Sequence, residues 1–313
     1  MKHPVSVLTG YLGAGKTTLL NALIRSRQST RFAVVVNEFG ALGIDGALVE
    51  RSDESVIGLS NGCLCCTVRG DLIEALTGLA ERRDSFDHVV IETSGLADPA
   101  PVAQSFLLSD GPSDHFRLDG IVTMVDAVNL DRQLGRDEIA ARQIALADRV
   151  ILTKTDLVAP AMASRVETLI RRYNPGADIR RSNPAAPAFA DLVGLNAYEL
   201  GSIPADLQFA QGVSHDTSIG SESFLLDQPL DFTAFSRFVQ QFIALRGEDI
   251  LRIKGIIDFA GEDRRFAFHG VQALIDGDVV GDWGDAPRQS SIVIIGRNID
   301  RDWVSDRLSA CLA

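Results

Sequence analysis

Gly10-Tyr11-Leu12-Gly13-Ala14-Gly15-Lys16-Thr17 satisfies the pattern G-x-x-x-x-G-K-[ST] in full. The apolar run Val5–Leu8 precedes it, and a helix-like stretch, Thr17–Arg27, follows it. A glycine-rich turn between a strand and a helix can aim its backbone N–H groups at a phosphate chain and set the positive end of the helix against it. Lys16 is then placed to neutralise the β- and γ-phosphates, and Thr17 to offer a hydroxyl to Mg²⁺. Gly10, Gly13, Ala14, Gly15, Lys16, Thr17 and Thr18 are the candidate nucleotide-binding residues of this loop.

Outward from the loop, short runs rich in Val and Ile recur at Phe32–Val36, His88–Ile91, Ile121–Val125 and Arg149–Leu152, with helix-like stretches such as Asp71–Arg83 between them. Continuous rather than alternating apolar runs suit strands buried on both faces. The expected fold class is therefore α/β, a P-loop domain with a mostly parallel sheet covered by helices. The pattern changes after about Ala190, and Ala205–Ser221 is polar enough to read as a linker. Beyond it, Ser223–Leu226, Arg252–Phe259, Arg265–Leu274 and Ser291–Gly296 read as strands. Phe232, Phe235, Phe238, Val239, Phe242 and Ile243 form a core stripe at helical spacing, and Asp302–Leu312 reads as a closing helix. The expected domains are 1–195, a linker over 196–218 and a small C-terminal α+β domain over 219–313.

The net charge of −12 over 313 residues, without a dense Lys/Arg cluster, argues against nucleic acid as a partner. No run approaches the ~20 apolar residues that span a bilayer, so no membrane association is expected. Met1-Lys2-His3-Pro4 leads straight into a strand-like run, with no secretion-signal pattern. Crowded cysteines do not form a disulfide framework, and a reducing, cytoplasmic location is expected.

Further motifs bear on the same chemistry. His88–Ile91 runs into Glu92-Thr93-Ser94-Gly95. A carboxylate at a buried strand end can complete a Mg²⁺ shell, and Gly95 leaves room for the backbone to approach a γ-phosphate. A structural or capping role is the alternative for Glu92, and Asp126, which ends another strand, has the same two options. Lys16 and Glu92 are the candidate catalytic residues of this region. Thr153-Lys154-Thr155-Asp156 follows the run Arg149–Leu152. A carboxylate at Asp156 accepts two hydrogen bonds from guanine N1 and N2, a donor pair adenine lacks, which favours GTP over ATP. A helix N-cap turn is the competing role for that tetrapeptide.

Cys63, Cys65 and Cys66 place three of the four cysteines within four residues, after the turn-like pair Asn61-Gly62. Thiolates are soft ligands suited to Zn²⁺ and Cu⁺. The C-x-C-C spacing is not that of a closed zinc site, and three protein ligands leave one coordination position open, as suits a metal in transit. Buried apolar cysteines or a redox pair are the alternatives. His3, His88, His115, His215 and His269 are scattered and read as structural or surface residues.

Taken together, G-Y-L-G-A-G-K-T-T-L-L-N (10–21), N-E-F-G (37–40), S-N-G-C-L-C-C-T-V-R-G-D-L (60–72), E-T-S-G-L-A-D-P (92–99) and T-K-T-D (153–156) resemble the CobW-type metallochaperone GTPases. R-I-K-G-I (252–256), F-H-G-V-Q (268–272) and W-G-D (283–285) resemble that family's second domain, so the likeness covers nearly the whole chain. The resemblance implies slow GTP hydrolysis coupled to delivery of a transition metal to a client metalloprotein. The metal is most often Zn²⁺, with Co²⁺ and Ni²⁺ as alternatives. It implies metal binding by Cys63, Cys65 and Cys66 and a place near the nucleotide for Thr67, Val68 and Arg69. It also implies a switch-like role for Asn37–Gly40, in which Glu38 orients water or metal, and leaves room for a homodimer. A zinc-sensing regulator, and an accessory protein for cobalt insertion or nitrile-hydratase activation, are the other functions open to such a chain. Three positions depart from the family's pattern. Ala41 stands where many relatives carry Glu, only His215 and His269 stand where some have a histidine-rich stretch, and Thr153 stands where Asn is more usual.

Overall fold

The Val- and Ile-rich runs become strands because β-branched side chains pack well on a pleated surface, and here both faces are covered. In the computed structural model, residues 2–25, 30–37, 56–59, 67–108, 112–182, 192–203 and 219–313 are described. The chain divides into two units, Met1–Glu167 with Ala177–Asn196, and Thr168–Gly176 with Ala197–Ala313.

Among the described residues, the first unit is built on β1 (His3–Gly10), β2 (Phe32–Asn37), β3 (Val56–Leu59), β4 (His88–Glu92), β5 (Phe116–Asp126), β6 (Arg149–Thr153) and β7 (Asp178–Arg181). They form one sheet in the order β3-β2-β4-β1-β5-β6-β7, every neighbouring pair parallel. The helices between them are α1 (Lys16–Arg25), α2 (Thr67–Ala80), α3 (Ala100–Gln104), α4 (Leu130–Leu134), α5 (Ile139–Leu146) and α6 (Pro160–Tyr173), whose residues from Thr168 on are counted with the second unit. β1 lies at the centre. The chain leaves it toward β2 on one side, and β4 later crosses it to reach β5 on the other. Such a reversal opens a crevice at the carboxyl ends of the strands, where ligands of open α/β sheets bind. Register sets those ends level, pairing Leu8 with Glu92, Gly10 with Met124 and Asp126 with Thr153.

At the buried centre of this sheet, His88 Nε2 lies 2.9 Å from Ser6 Oγ, which donates to the Leu192 carbonyl at 2.6 Å. One hydroxyl carries one proton, so Nε2 is the donor to Ser6. Asp119 accepts from the backbone N–H groups of Leu195 and Asn196, both at 3.0 Å. Burial lowers the His88 pKa to about 4, so the imidazole is neutral at physiological pH. This trio anchors residues 192–196 and carries no chemistry.

The second unit holds β8 (Ile219–Leu226), α7 (Phe232–Arg246), β9 (Ile250–Ile257), β10 (Arg264–Val271), β11 (Leu274–Asp282), β12 (Ser290–Arg297) and α8 (Arg301–Ser309). Its sheet runs β11-β10-β9-β12-β8, antiparallel throughout. Asp231 caps α7 and Asp300 caps α8, each accepting a backbone N–H three residues on. Phe235, Phe238 and Phe242 enter the core beside Phe268, Ile294 and Leu308, whereas Phe232 is largely exposed. The run expected as one strand over Arg265–Leu274 is instead a hairpin that turns at Gln272, where φ is +54°. Leu200 and Ile203, inside the stretch expected as linker, pack against Ile256 and Trp283.

Candidate nucleotide site

The loop between β1 and α1 takes a shape that glycine alone supplies. Gly10, Gly13 and Gly15 have φ of +139°, +75° and +99°, and a Cβ on Gly10 would overlap the Met124 carbonyl oxygen of β5. Lys16 is 8% exposed, and its Nζ donates to the Gly10 carbonyl at 2.7 Å, so its ammonium folds back over the loop. Tyr11 donates its hydroxyl to Asp137 at 2.6 Å, and that bond with burial holds the phenol above its usual pKa. Ala14 is buried, and Thr18 is exposed on the first turn of α1.

Thr17 Oγ1 donates to Glu92 Oε1 at 3.1 Å. A hydroxyl and a carboxylate that is 5% exposed thus meet beside the loop, at the end of β4. Hard oxygen donors in this pairing fit Mg²⁺, which takes one or two protein oxygens and fills its other positions with water and phosphate. Gly95 follows, and a Cβ there would lie 2.7 Å from the backbone nitrogen of Leu12. Its missing side chain therefore lets the loop after Glu92 close on the phosphate loop itself.

The T-K-T-D segment is tied to both neighbours. Thr153 Oγ1 lies 3.0 Å from the Ala14 carbonyl and 3.1 Å from that of Val125. The hydroxyl at this position thereby joins the end of β6 to the glycine-rich loop. Lys154 sits in the left-handed region at φ +57°, with its Nζ 2.6 Å from Asp126 Oδ2. Asp126 also accepts from Asn129 Nδ2 at 2.8 Å and from the Val128 N–H at 2.9 Å. Burial pushes its pKa up, but these three donors outweigh it and hold the carboxyl below the usual range. Asp126 is thus committed to Lys154 and the turn after β5, which leaves Glu92 as the carboxylate beside Thr17. Asp156 is exposed at the rim, on the short 3₁₀ turn Thr155–Leu157.

Glu38, Cys63, Cys65 and Cys66 lie outside the described residues. Thr67, Val68 and Arg69 open α2 directly after the last of the three cysteines. Among the described residues, no group of three His, Cys, Asp or Glu side chains could hold a metal ion, and no helix is long and apolar enough to cross a membrane.

The CobW/HypB/UreG nucleotide-binding domain model matches residues 4–181, and the cobalamin synthesis protein CobW C-terminal domain model matches residues 219–312. The chain belongs to the CobW family. Zinc chaperone YjiA of Escherichia coli (strain K12) is 34% identical over 298 residues, covering 93% of each chain. Zinc-regulated GTPase metalloprotein activator 1 of Schizosaccharomyces pombe (strain 972 / ATCC 24843) is 32% identical over 345 residues, covering 95% of this chain and 83% of its own. The crystal structure of zinc-bound YjiA GTPase from E. coli superposes with a TM-score of 0.79 at 27% identity, over the full length of both chains. This CobW-family chain accordingly has the expected architecture of a P-loop α/β domain and a C-terminal sheet domain. Asp137 carried no signal in the sequence, and for Asp126 the structure selects the structural option of the two that the sequence left open. Asp137 meets Tyr11 across 126 positions, and the decisive partner of Asp126, Lys154, lies 28 positions on.

Proposed function

We propose that this chain is a cytoplasmic, GTP-hydrolysing metallochaperone that carries Zn²⁺ on Cys63, Cys65 and Cys66 and delivers it to a client metalloprotein. The observation that carries the reading is the convergence of Lys16, Thr17 and Glu92 at the carboxyl ends of the central strands β1 and β4. Leu59, at the end of β3, is level with Asn37 of β2, and Cys63 follows four residues later. β3 is three strands from β1, or about 14 Å at the usual strand spacing.

In this reading the backbone of Gly10–Thr17 cradles the phosphates, and Lys16 moves from the Gly10 carbonyl to neutralise charge developing on the β- and γ-phosphates. Thr17 and Glu92 would hold Mg²⁺, which supplies charge neutralisation to the same oxygens. The loop at Gly95 faces the γ-phosphate. Lys154, pinned by Asp126, presents its stem to the guanine, and Asp156 accepts from N1 and N2. Glu38 orients water or metal, and Thr67, Val68 and Arg69 report nucleotide state to the cysteines directly before them. Metal on three thiolates changes the local charge from about −3 to about −1, which favours an anionic nucleotide nearby. The zinc-chaperone relatives and the zinc-regulated GTPase activator support this assignment of cargo and reaction.

Replacing Cys63, Cys65 and Cys66 together by Ala tests the cargo site. Competition with a chromophoric chelator is expected to report one tight Zn²⁺ in the parent chain and a loss of at least about 10³-fold in affinity in the variant, as removal of every thiolate demands. Unchanged zinc affinity would place the cargo elsewhere.

A further inference from the structure

One eight-residue helix, α5, holds two loops at once. Asp137, just before it, accepts the Ile139 N–H at 2.9 Å through Oδ1 and the Tyr11 hydroxyl at 2.6 Å through Oδ2, which ties the helix start to the phosphate loop. One turn on, Arg142 Nη1 donates to Asp98 Oδ2 at 2.5 Å. Gln143 Nε2 donates to the carbonyls of Gly95 at 3.3 Å and Ala97 at 3.1 Å. All three acceptors belong to the loop after Glu92. Asp98 in turn fixes the start of α3 by accepting the Ala100 N–H at 2.9 Å. The helix is itself anchored to the sheet, since Thr123 Oγ1 of β5 donates to the Gln143 carbonyl at 2.7 Å. Gln143 is 1% exposed, and its amide serves a stretch with no regular backbone pairing. Where the two loops meet, they touch so closely that Gly95 admits no side chain.

We propose that α5 is the positioning element for the γ-phosphate: Gln143 and Arg142 hold the Gly95 loop against the phosphate loop, in the place from which its backbone reaches a third phosphate, and so set the preference for GTP over GDP. This rests on the nucleotide reading of Lys16, Thr17 and Gly95 given above. A diphosphate ends within the phosphate loop and gains nothing from the loop after Glu92, whereas a triphosphate reaches both. Without the Gln143 donors, two carbonyls lose their partners and the loop relaxes to satisfy them. Arg142, Gln143 and Asp137 touch no reacting atom in this scheme, so their effect is on discrimination rather than on chemistry.

The test compares dissociation constants for GDP and for a non-hydrolysable GTP analogue, with Mg²⁺ present, in the parent, Gln143→Met and Arg142→Met. Gln143→Met keeps the volume and removes both donors, and Arg142, whose side chain is 22% exposed, provides a variant outside the core. Either variant is expected to weaken the triphosphate about tenfold and the diphosphate by less than about twofold, the scale of one or two hydrogen bonds. Equal weakening of both nucleotides would overturn the inference and make α5 a structural helix only, as would unchanged affinities. A parent chain that binds the two nucleotides equally would overturn it together with the γ-phosphate reading of Gly95.

Discussion

Lys16→Ala is expected to lower GTP turnover by a factor on the order of 10² to 10³, the cost of removing one preorganised charge from a transition state. The ammonium is the cation that the loop itself brings to the phosphates, and its bond to the Gly10 carbonyl shows the side chain already folded over the cradle. The substitution leaves Leu8, Leu20 and Val122 of the core in place, so secondary structure by circular dichroism is expected to stay unchanged. Phosphate release under saturating GTP measures the effect. Turnover at the parent rate would move the chemistry away from this loop.

Asp156→Asn is expected to exchange the preferred base. The carboxylate is exposed and is desolvated only when a base covers it. Two hydrogen bonds to a charged acceptor then contribute about 1.5–3 kcal/mol each, so GTP affinity should fall on the order of 10² to 10⁴-fold. Xanthine presents a carbonyl where guanine has its amine. The Asn amide matches that edge, so XTP should bind the variant more tightly than GTP. Competition between the two nucleotides in parent and variant checks this, and an unaltered preference for GTP would assign base selection to another residue.

Much of the architecture could be read in advance because its causes are local. The glycines of the phosphate loop answer to backbone angles, the buried strands to runs of β-branched residues, and α7 to a phenylalanine repeat. The proximity of Thr17 to Glu92 was also readable, since one follows a motif and the other ends an apolar strand. Other elements depend on partners distant in sequence. β11 reads L-I-D-G-D-V-V-G-D, too acidic and glycine-rich to stand out as a strand, and its hairpin turns at Gln272-Ala273 without the usual Asn-Gly signal. β7 reads D-I-R-R at the sheet edge, with a single apolar residue, and forms only because Arg149 and Leu152 of β6 provide a register for it. Asp126 offered no way to choose between metal and structure until Lys154 was seen to occupy it. Gln143 carries no signal in the sequence, because its acceptors lie 48 and 46 positions away.

Thr153 illustrates how a departure from a family pattern acquires a physical account. A single hydroxyl spans the Ala14 and Val125 carbonyls, joining the phosphate loop, β5 and the base-side loop in one contact. That contact favours a rigid cradle at the carboxyl ends of β1, β5 and β6.

The central claim is that nucleotide state changes the hold on zinc, and coupling of this kind is a difference in free energy that must act in both directions. Zinc affinity measured with GTP analogue, with GDP and without nucleotide therefore tests it most directly. The account predicts that the three values differ, with at least about fivefold between the triphosphate and diphosphate states, the lower end of typical couplings. Three equal affinities would contradict it, leaving a GTPase and a zinc site that share a chain without a common mechanism.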